Sequence, residues 1–383
     1  MSRYKRFNIT IIITVCLIIF DVTLTHSKTI IADSISEDDV RIAIDSAEKG
    51  DMVIIPAGNA KWANTIVVND GVSIKGMGIG KSVITWTRFD WTLNLLEFTL
   101  TNDTCLTISE LTFIGPSISY ENHSNFVFIG GKSGKFRIFN CEFLDGGAHS
   151  LVINGNIYGV IDHCSFVNDS QESISIWNGN GERTWLEKKP LGTIEAVFIE
   201  DCEFRFEEKG DHAVTSINGG RYVFRYNNIT SLKKKNSTQI DTHGNFFAER
   251  GGYSSEIYCN TLTSEESYYG MYIRGGTGVI FNNKFIGKFY IPICFANYGS
   301  FRSKKDKKSG LCGFQECSYP AIDQINDFYI WNNVYNERSV GVVVQKRGLE
   351  REHIKVNRDY FEKKKKGYEE FEYPHPLTKY DYQ

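Results

Sequence analysis

The sequence predicts an all-β chain wound as a solenoid, and three repeated features carry this prediction. One position recurs with a shortest spacing of 23 residues, and it holds Leu111, Cys141, Cys164, Cys202, Asn227, Asn260, Asn283 and Asn333. A large side chain follows two places later each time, as Phe113, Phe143, Phe166, Phe204, Ile229, Leu262, Phe285 and Tyr335. The neighbouring segments alternate apolar and polar residues with period two, which is typical of strands and not of helices. A coil of three short parallel strands, with loops inserted at its corners, accounts for all three features.

The N-terminal segment predicts export. Arg3, Lys5 and Arg6 precede an apolar run over residues 9–20 that is short for a membrane span. We expect a signal peptide over residues 1–27 whose removal leaves a secreted, periplasmic or cell-surface protein without stable membrane insertion; a retained anchor is the alternative. The formal net charge of -3 gives no electrostatic reason to expect a nucleic-acid partner.

Both ends of a solenoid need a cap, because the outer coils would otherwise expose unpaired strand edges. Residues 36–48 predict a short capping helix that begins at Ser36 or Asp38. We expect the solenoid domain to cover residues 28–344. The charged residues 345–383 are expected to form a C-terminal capping tail along the last coils.

Strands and insertions follow in order. Residues 52–56, 65–68, 72–75 and 82–85 predict short strands separated by Gly-rich corners. The repeat then runs to about residue 335. Some turns are longer than the 23-residue spacing, and their extra residues fall at 178–191, at 231–237 together with 244–252, and at 297–325. Loops on a rigid scaffold are where binding surfaces usually form, so these insertions mark candidate binding regions.

The stretch over residues 214–285 predicts a polar strip on the outer surface of the coil. Period-two alternation predicts that Thr215, Ile217, Ile240, Thr242, Met271 and Ile273 point inward. It predicts two outward columns, which are Ser216, Asp241 and Tyr272 in one and Asn218, His243 and Arg274 in the other.

Cysteine spacing separates two kinds of cysteine. Cys141, Cys164 and Cys202 occupy the recurring position and are expected to be buried. Cys312 and Cys317, five residues apart in a polar insertion, are expected to form a local disulfide.

Several segments resemble the right-handed parallel β-helix proteins of the pectate-lyase-like (pectin lyase fold) superfamily. Residues 40–58 (VRIAIDSAEKGDMVIIPAG) are similar to their first coil. Five further segments are similar to secreted microbial members of the superfamily. They are residues 221–227 (RYVFRYN), 256–258 (EIY), 275–283 (GGTGVIFNN), 358–361 (RDYF) and 373–377 (YPHPL). The resemblance implies a single-stranded right-handed parallel β-helix. It implies no one activity, because the superfamily includes lyases, hydrolases, tail-spike-like proteins and members without known activity.

The leading functional hypothesis is a polysaccharide lyase acting on an acidic, uronate-containing glycan by β-elimination. Such chemistry needs a base, a group that offsets the charge of the enolate, and an acid for the leaving oxygen. His243 oriented by Asp241 is the candidate base, Arg274 the candidate carboxylate clamp, and Tyr272 the candidate acid. The resemblance makes Arg274 an alternative base, since an Arg or Lys on the helix face often has that role in the superfamily.

Substrate contacts are expected from side chains around these four. The candidates are Ser216, Asn218, Trp177, Arg221 and Arg250, of which the two arginines add positive charge suited to an acidic polymer. His149, His163 and His212 adjoin turn or ladder positions and are interpreted as structural.

Two alternatives remain open. A non-catalytic glycan-binding or surface-structural protein would use Trp177, Trp185, Tyr268 and Tyr272 as stacking platforms. An inverting glycoside hydrolase would need two carboxylates, for which Asp211 and Asp241 are the available pair, with Glu249 or Glu256 beside them.

The sequence requires no cofactor. No His and Cys cluster has the spacing of a metal site, and the few acidic residues near the strip leave calcium open without supporting it. A monomer is favoured over a trimer, because no long coiled-coil segment is present.

Overall fold

The computed structural model describes residues 27–88, 90, 93–101, 104–115, 124–178, 181–207, 212–234, 238–244, 250–296, 323–345 and 353–379. The predicted signal peptide and the predicted disulfide between Cys312 and Cys317 lie outside these residues. No helix within the described ranges is long and apolar enough to cross a membrane.

Short strands make up most of the described chain. The first are β1 (Thr29–Ile31), β2 (Met52–Ile54), β3 (Gly58–Trp62), β4 (Ile66–Val68), β5 (Ser73–Lys75), β6 (Ser82–Trp86), β7 (Asn94–Leu100), β8 (Cys105–Ser109), β9 (Thr112–Ile114) and β10 (Asn125–Gly131). The next are β11 (Lys135–Phe139), β12 (Glu142–Leu144), β13 (His149–Gly155), β14 (Tyr158–Asp162), β15 (Ser165–Val167), β16 (Glu172–Trp177), β17 (Val197–Glu200), β18 (Glu203–Phe206), β19 (His212–Ile217), β20 (Arg221–Arg225) and β21 (Asn228–Lys234). The last are β22 (Thr238–Thr242), β23 (Ser254–Tyr258), β24 (Thr261–Ile273), β25 (Thr277–Phe281), β26 (Lys284–Phe295), β27 (Phe328–Trp331), β28 (Val334–Tyr335), β29 (Arg338–Ser339), β30 (Val343–Val344) and β31 (Tyr360–Phe361). The helices are α1 (Glu37–Asp45), α2 (Gly181–Leu186) and a 3-10 helix over Pro376–Lys379.

Successive strands are distributed over three faces of one coil, and apart from the short β28–β29 pair their pairing is parallel. Face A contains β1, β2, β5, β8, β11, β14, β17, β20, β23, β25, β27 and β31. Face B contains β3, β6, β9, β12, β15, β18 and β21, and face C contains β4, β7, β10, β13, β16, β19 and β22. The long strands β24 and β26 run through faces B and C without a break. The chain is therefore a right-handed parallel β-helix, as predicted.

The register follows the column of large side chains that the sequence predicts. All eight predicted positions are paired from turn to turn along face B. The rings of Phe143 and Phe166 stack with centroids 4.8 Å apart, and those of Phe166 and Phe204 with centroids 4.9 Å apart. The spacing equals the distance between neighbouring strands, so that one stack of rings fills the core across several turns.

The recurring position two residues earlier forms a buried ladder. Oδ1 of Asn260 accepts from the backbone nitrogen of Asn227 at 2.9 Å, and Nδ2 of Asn260 donates to Oδ1 of Asn283 at 2.9 Å. Asn283 in turn donates to Oδ1 of Asn333 at 2.9 Å. Earlier turns use cysteine instead, and the thiol of Cys164 lies 3.7 Å from the carbonyl oxygen of Ile138. These contacts satisfy the corner backbone where strand pairing stops.

Helix α1 covers the first coil. The Ser36 side chain accepts from the backbone nitrogen of Asp39 and caps the helix, which selects between the two predicted caps. Val40, Ala43 and Ile44 are buried in the core of the coil. The helix thus seals the open end of the solenoid.

The C-terminal residues 353–379 run back along the outer surface of face A. After β31 pairs with β27, the Tyr368 hydroxyl donates to Glu256 at 2.6 Å, and the backbone nitrogen of His375 donates to Glu200 at 2.8 Å. Glu256 lies on β23 and Glu200 on β17, so the segment crosses several turns in the reverse direction.

Candidate functional site

Four of the six outward side chains predicted for the strip lie together on face C. The register pairs Asp241 with Tyr272, and the next residues along the same strands are Thr242 and Ile273, which point inward. His243 and Arg274 follow at the ends of these strands. The predicted columns are therefore correct for the second and third of the three turns.

The first of the three turns is displaced by one residue from its predicted register. The structure pairs Thr215, not Ser216, with Asp241. Val214 belongs to the core, whereas Thr215 and Ile217 face outward, so the predicted inward positions of these two residues are wrong. A slip of one residue exchanges the two faces of a strand.

An extra corner residue causes this slip. Arg221 and Thr277 occupy equivalent positions on face A, through their common partner Ser254. Two residues, Gly275 and Gly276, precede Thr277 at its corner, whereas three residues precede Arg221. The additional residue is accommodated by the positive φ of Asn218, 49°. A prediction that counts residues back from the ladder position of the next turn, Asn227, therefore assigns the side chains of β19 to the wrong faces.

Asp241 is the centre of the site. Its carboxylate is fully buried and accepts from Nε of Arg274 at 3.0 Å and from Nη2 of the same guanidinium. Nε2 of His243 lies 3.0 Å from its Oδ2, and Nε2 of His212 lies 3.9 Å from the same atom. One carboxylate thus binds an arginine bidentately and has two imidazoles beside it.

A second carboxylate lies along the first residues of the same strands. His149, Glu172 and His212 occupy equivalent positions on β13, β16 and β19. Nε2 of His149 contacts the Glu172 carboxylate at 2.5 Å, and Nδ1 of His149 contacts Oδ1 of Asn125 at 3.0 Å. Both ring nitrogens of His149 therefore lie against oxygen atoms of neighbouring side chains.

His212 is bonded through its other ring nitrogen. Its Nδ1 lies 2.8 Å from the carbonyl oxygen of Thr238 and donates to it, because a carbonyl oxygen can only accept. Nε2 lies 3.9 Å from Oδ2 of Asp241, beyond hydrogen-bond distance, and the side chain is 16% exposed. In the tautomer that the Thr238 contact sets, a neutral His212 can accept a proton at Nε2.

The electrostatics of the cluster keep both carboxylates charged. Burial opposes the charge of Glu172, but the imidazoles of His149, His212 and His243 hold its pKa down to about 2. Burial also opposes the charge of Asp241, but the neighbouring Arg274 and His243 hold its pKa below the usual value. Burial lowers the pKa of His243 to about 4, so this imidazole is neutral at neutral pH. We call these six residues, His149, Glu172, His212, Asp241, His243 and Arg274, the face C cluster.

Tyr272 borders the face C cluster and is held in place on both sides. Its ring lies under the Arg274 guanidinium, 5.0 Å from the guanidinium carbon, and stacks on Tyr269 with centroids 4.4 Å apart. Its hydroxyl donates to Oε1 of Gln345 at 2.9 Å. The phenol therefore has a defined position beside the cluster.

Three of the predicted substrate contacts, Ser216, Asn218 and Trp177, form hydrogen bonds to groups outside the face C cluster. The Ser216 hydroxyl is fully buried inside the coil and donates to the carbonyl oxygen of Gly220 at 3.2 Å, so its predicted outward position is wrong. Asn218 forms the corner, where its Nδ2 donates to the carbonyl oxygen of Asn178 at 3.0 Å. Trp177 lies on the outer surface of face C and donates from Nε1 to the Ser175 hydroxyl at 2.8 Å.

The two predicted arginine contacts lie near face A and not in the face C cluster. Arg221 begins β20 on face A, is 6% exposed and donates to the Tyr158 hydroxyl at 2.7 Å. Arg250 lies at the corner that leads to face A and donates from Nε to Oδ1 of Asp323 at 2.8 Å. The guanidinium of Arg250 also lies over the ring of Trp185.

Of the carboxylates of the hydrolase hypothesis, Asp241 lies at the centre of the face C cluster. Asp211 and Glu249 lie outside the described residues. Glu256 is buried on the outer side of face A, where it accepts from Tyr368 and from the backbone nitrogen of Gly192 at 2.9 Å. It therefore joins an insertion to the C-terminal segment and is not a surface charge.

No metal site is formed within the described residues. Among them, no three His, Cys, Asp or Glu side chains come together in a geometry that could hold a metal ion.

Sequence reasoning missed three members of the face C cluster. His149 and His212 were interpreted as structural, and Glu172 was not considered. A signal for two of them is present, because His149 follows Cys141 and Glu172 follows Cys164 by the same eight residues. Equal distance from the ladder places both side chains in one column.

The cluster can carry out proton transfer next to a negatively charged ligand. Neutral His212 can accept a proton at Nε2, whereas the Arg274 guanidinium supplies a cationic donor. Cationic donors in a partly buried site favour substrates that develop negative charge during reaction.

Comparisons with known proteins give the fold. No protein-family model matches the sequence, and no curated protein matches it in sequence. The structure is similar to the A-module of the mannuronan C-5 epimerase AlgE6 of Azotobacter vinelandii, with a TM-score of 0.51 and 14% identity, covering 80% of this chain and 75% of that chain. It is also similar to an alginate lyase from a Paenibacillus species, with a TM-score of 0.46 and 14% identity over 70% of this chain and 98% of that one. For the pectin methylesterase PemA of Erwinia chrysanthemi the TM-score is 0.41 and the identity 11%, over 81% of this chain and 88% of that one.

Identities this low show a shared fold and nothing finer. The coil of three parallel faces agrees with the resemblance seen in the sequence. The chain has the fold of a right-handed parallel β-helix.

Proposed function

We propose that this protein cleaves an acidic, uronate-containing polysaccharide by β-elimination at the face C cluster. The observation that carries the proposal is the arrangement of His212 beside the Asp241–Arg274 pair. It places a proton acceptor beside a guanidinium on the outer side of face C.

In the proposed reaction, Nε2 of His212 takes the proton from the sugar carbon that bears the carboxylate. The electron pair of that bond forms a carbon–carbon double bond as the neighbouring carbon–oxygen bond breaks. The Tyr272 hydroxyl gives its proton to the leaving oxygen. Arg274 stabilises the negative charge that develops on the substrate carboxylate.

The roles proposed here for the histidines differ from those that the sequence predicts. Nε2 of His243 donates to Oδ2 of Asp241 at 3.0 Å, whereas Nε2 of His212 lies 3.9 Å from that atom and is not bonded to it. We therefore give the role of base to His212 and that of a positioning residue to His243. Asp241 holds His243 and Arg274 in place.

The substrate class is proposed from the charges of this chain's own side chains. The epimerase module to which the fold is similar has mannuronan as its substrate by name. An acidic glycan fits the cationic donors of the cluster, and it would be met outside the cytoplasm. We accordingly propose export and removal of residues 1–27, which N-terminal sequencing of the mature protein would check.

The experiment is incubation of the full chain with a panel of acidic and neutral polysaccharides, with and without calcium. Ultraviolet absorbance reports unsaturated products, and a reducing-end assay is run on the same samples. Elimination produces both signals. New reducing ends without unsaturated products would replace the proposal with hydrolysis, and retention of a polymer without either signal would replace it with a binding protein.

A further inference from the structure

A row of four tyrosines leads away from the face C cluster along β24 and β26. It begins at Tyr272, whose ring stacks on Tyr269 with planes 6° apart. Tyr268 meets Tyr269 edge-on at 4.5 Å between centroids, and Tyr290 stacks on Tyr268 at 4.9 Å. The row therefore connects the cluster to the outer surface of neighbouring strands without a gap.

The inner and outer halves of the row differ in exposure. Tyr269 is 9% exposed, and the Gln345 side chain bridges the hydroxyls of Tyr269 and Tyr272 at 3.4 Å and 2.9 Å. Tyr268 is 37% exposed and Tyr290 is 73% exposed. The inner rings are thus fixed in place, and the outer pair presents aromatic surface to solvent.

The register explains why the outer rings form a stacked platform. Ser267 pairs with Phe289 and Tyr269 with Ile291, so Tyr268 and Tyr290 are direct neighbours on adjacent parallel strands. Two rings at the strand spacing lie parallel or nearly so, and here their planes are 27° apart. Tyr268 thereby supports one face of the Tyr290 ring, and the 73% exposure of Tyr290 leaves its other face to solvent.

We propose that the Tyr268–Tyr290 pair binds a pyranose ring of the same glycan chain whose acidic unit occupies the face C cluster. The inference rests on the proposed function and extends it to substrate length. Aromatic faces stack on the apolar faces of pyranose rings, while phenol hydroxyls remain in contact with water. The row is continuous with the charged cluster, so one linear polymer can contact both, whereas a disaccharide in the cluster does not extend to the outer pair.

This arrangement predicts a preference for long chains. Loss of one stacking ring is expected to weaken binding of a long acidic glycan by about threefold to tenfold. The same change leaves binding of a disaccharide of that glycan unaltered. It also leaves the turnover number unaltered, because neither ring touches the reacting atoms.

The test compares Tyr290→Ser and Tyr268→Ser with wild type in full-chain protein. The control is Ile286→Ser, which removes an apolar side chain of 47% exposure from the same strand β26 without removing a ring. Affinity electrophoresis in gels that contain each polymer of the panel measures binding, and KM and kcat are measured where turnover occurs. Analytical ultracentrifugation reports the oligomeric state of every variant.

The inference predicts weaker retention and a higher KM for long chains in both tyrosine variants, with Ile286→Ser like wild type. If the tyrosine changes weaken retention but no variant turns over the polymer, the platform would stand and the lyase proposal would be refuted. Unchanged binding and KM in an active protein would refute the platform alone, and wild type that binds no glycan would refute both. A dimer that the tyrosine changes dissociate would assign the rings to a second copy of the chain instead.

Discussion

Asp241 holds Arg274 through two side-by-side contacts, with Nε of the guanidinium 3.0 Å from Oδ1 of the carboxylate and Nη2 against Oδ2. Both side chains are almost completely buried on the outer side of face C. The pair fixes the face C cluster, because His243 and His212 lie beside the same carboxylate oxygen.

Asp241→Asn should destabilise the fold and abolish activity. Replacing the carboxylate leaves the Arg274 cation buried without its charge partner, which costs about 3 kcal/mol. Urea denaturation measures this change in the free energy of unfolding. The matched control is Asp327→Asn, whose ion pair with Lys365 is exposed and is expected to contribute less than about 1 kcal/mol. Equal stability of the two variants would contradict the structural role of the Asp241–Arg274 pair.

Asn260→Ala should be more harmful than Cys164→Ala, although the two residues occupy the same ladder position. The amide of Asn260 bonds to Asn227, to Asn283 and to the backbone of Phe224, and its loss leaves buried groups unsatisfied. We expect a loss of about 3 kcal/mol for Asn260→Ala and about 1 kcal/mol for Cys164→Ala. Chemical denaturation of the two variants checks the order, and the reverse order would rule out the hydrogen-bonded ladder as the source of stability.

Arg225→Ala should release the C-terminal segment from face A. The buried guanidinium donates to the carbonyl oxygens of Phe371 and Glu372 at 2.7 and 2.8 Å, and from Nε to Glu200 at 2.7 Å. Its removal leaves Glu200 buried without a cation and costs about 3 kcal/mol or more.

Trypsin digestion would report this release, because the backbone around the lysines of residues 363–366 is then free to enter the protease before the coil itself unfolds. Arg205→Ala, which removes an exposed ion pair with Glu207, is the control and should digest like wild type. Equal digestion of the Arg225 and Arg205 variants would show that the segment is held by other contacts.

Stability should fall as the pH is lowered from about 6.5 to about 4. Burial lowers the pKa of His375 to about 4 from an ordinary value of 6.5. Between these values the unfolded chain binds a proton that the folded chain does not, so acid favours unfolding by up to about 3 kcal/mol for this one group. His243, with its pKa of about 4, acts in the same direction.

Urea denaturation across this pH range tests the prediction. His375→Gln should have a shallower dependence than wild type, and His163→Gln, which changes an exposed imidazole, should have the wild-type slope. An identical slope in all three proteins would mean that His375 does not titrate as its burial requires.

The sequence predicts the coil well because each turn repeats the same chemistry at the same place. Phe166 pairs with Phe204 across a separation of 38 residues, since both follow the ladder position by two residues whatever the loop length between them. The face toward which each side chain points is harder to predict from the sequence than the strands themselves. One extra corner residue at Asn218 is enough to exchange the faces of β19, and local alternation alone does not reveal a corner's length.

The candidate site is predictable only where its members share a strand pattern. Asp241, His243 and Arg274 follow from alternation on two adjacent turns. Contacts such as that between Arg250 and Asp323, or between Arg225 and Phe371, join an insertion or the C-terminal segment to a distant turn. Nothing periodic specifies them, since loop paths depend on tertiary packing.

The central claim is that His212 is the base of an elimination reaction on the outer surface of face C. The most direct measurement is the rate of unsaturated-product formation at saturating polymer for wild type, His212→Gln and the exposed control His163→Gln. Thermal unfolding is recorded for each to confirm that it is folded. We predict that His212→Gln loses at least about a hundredfold in kcat, while the control keeps the wild-type rate. A His212→Gln protein that is folded and as active as wild type would contradict the claim.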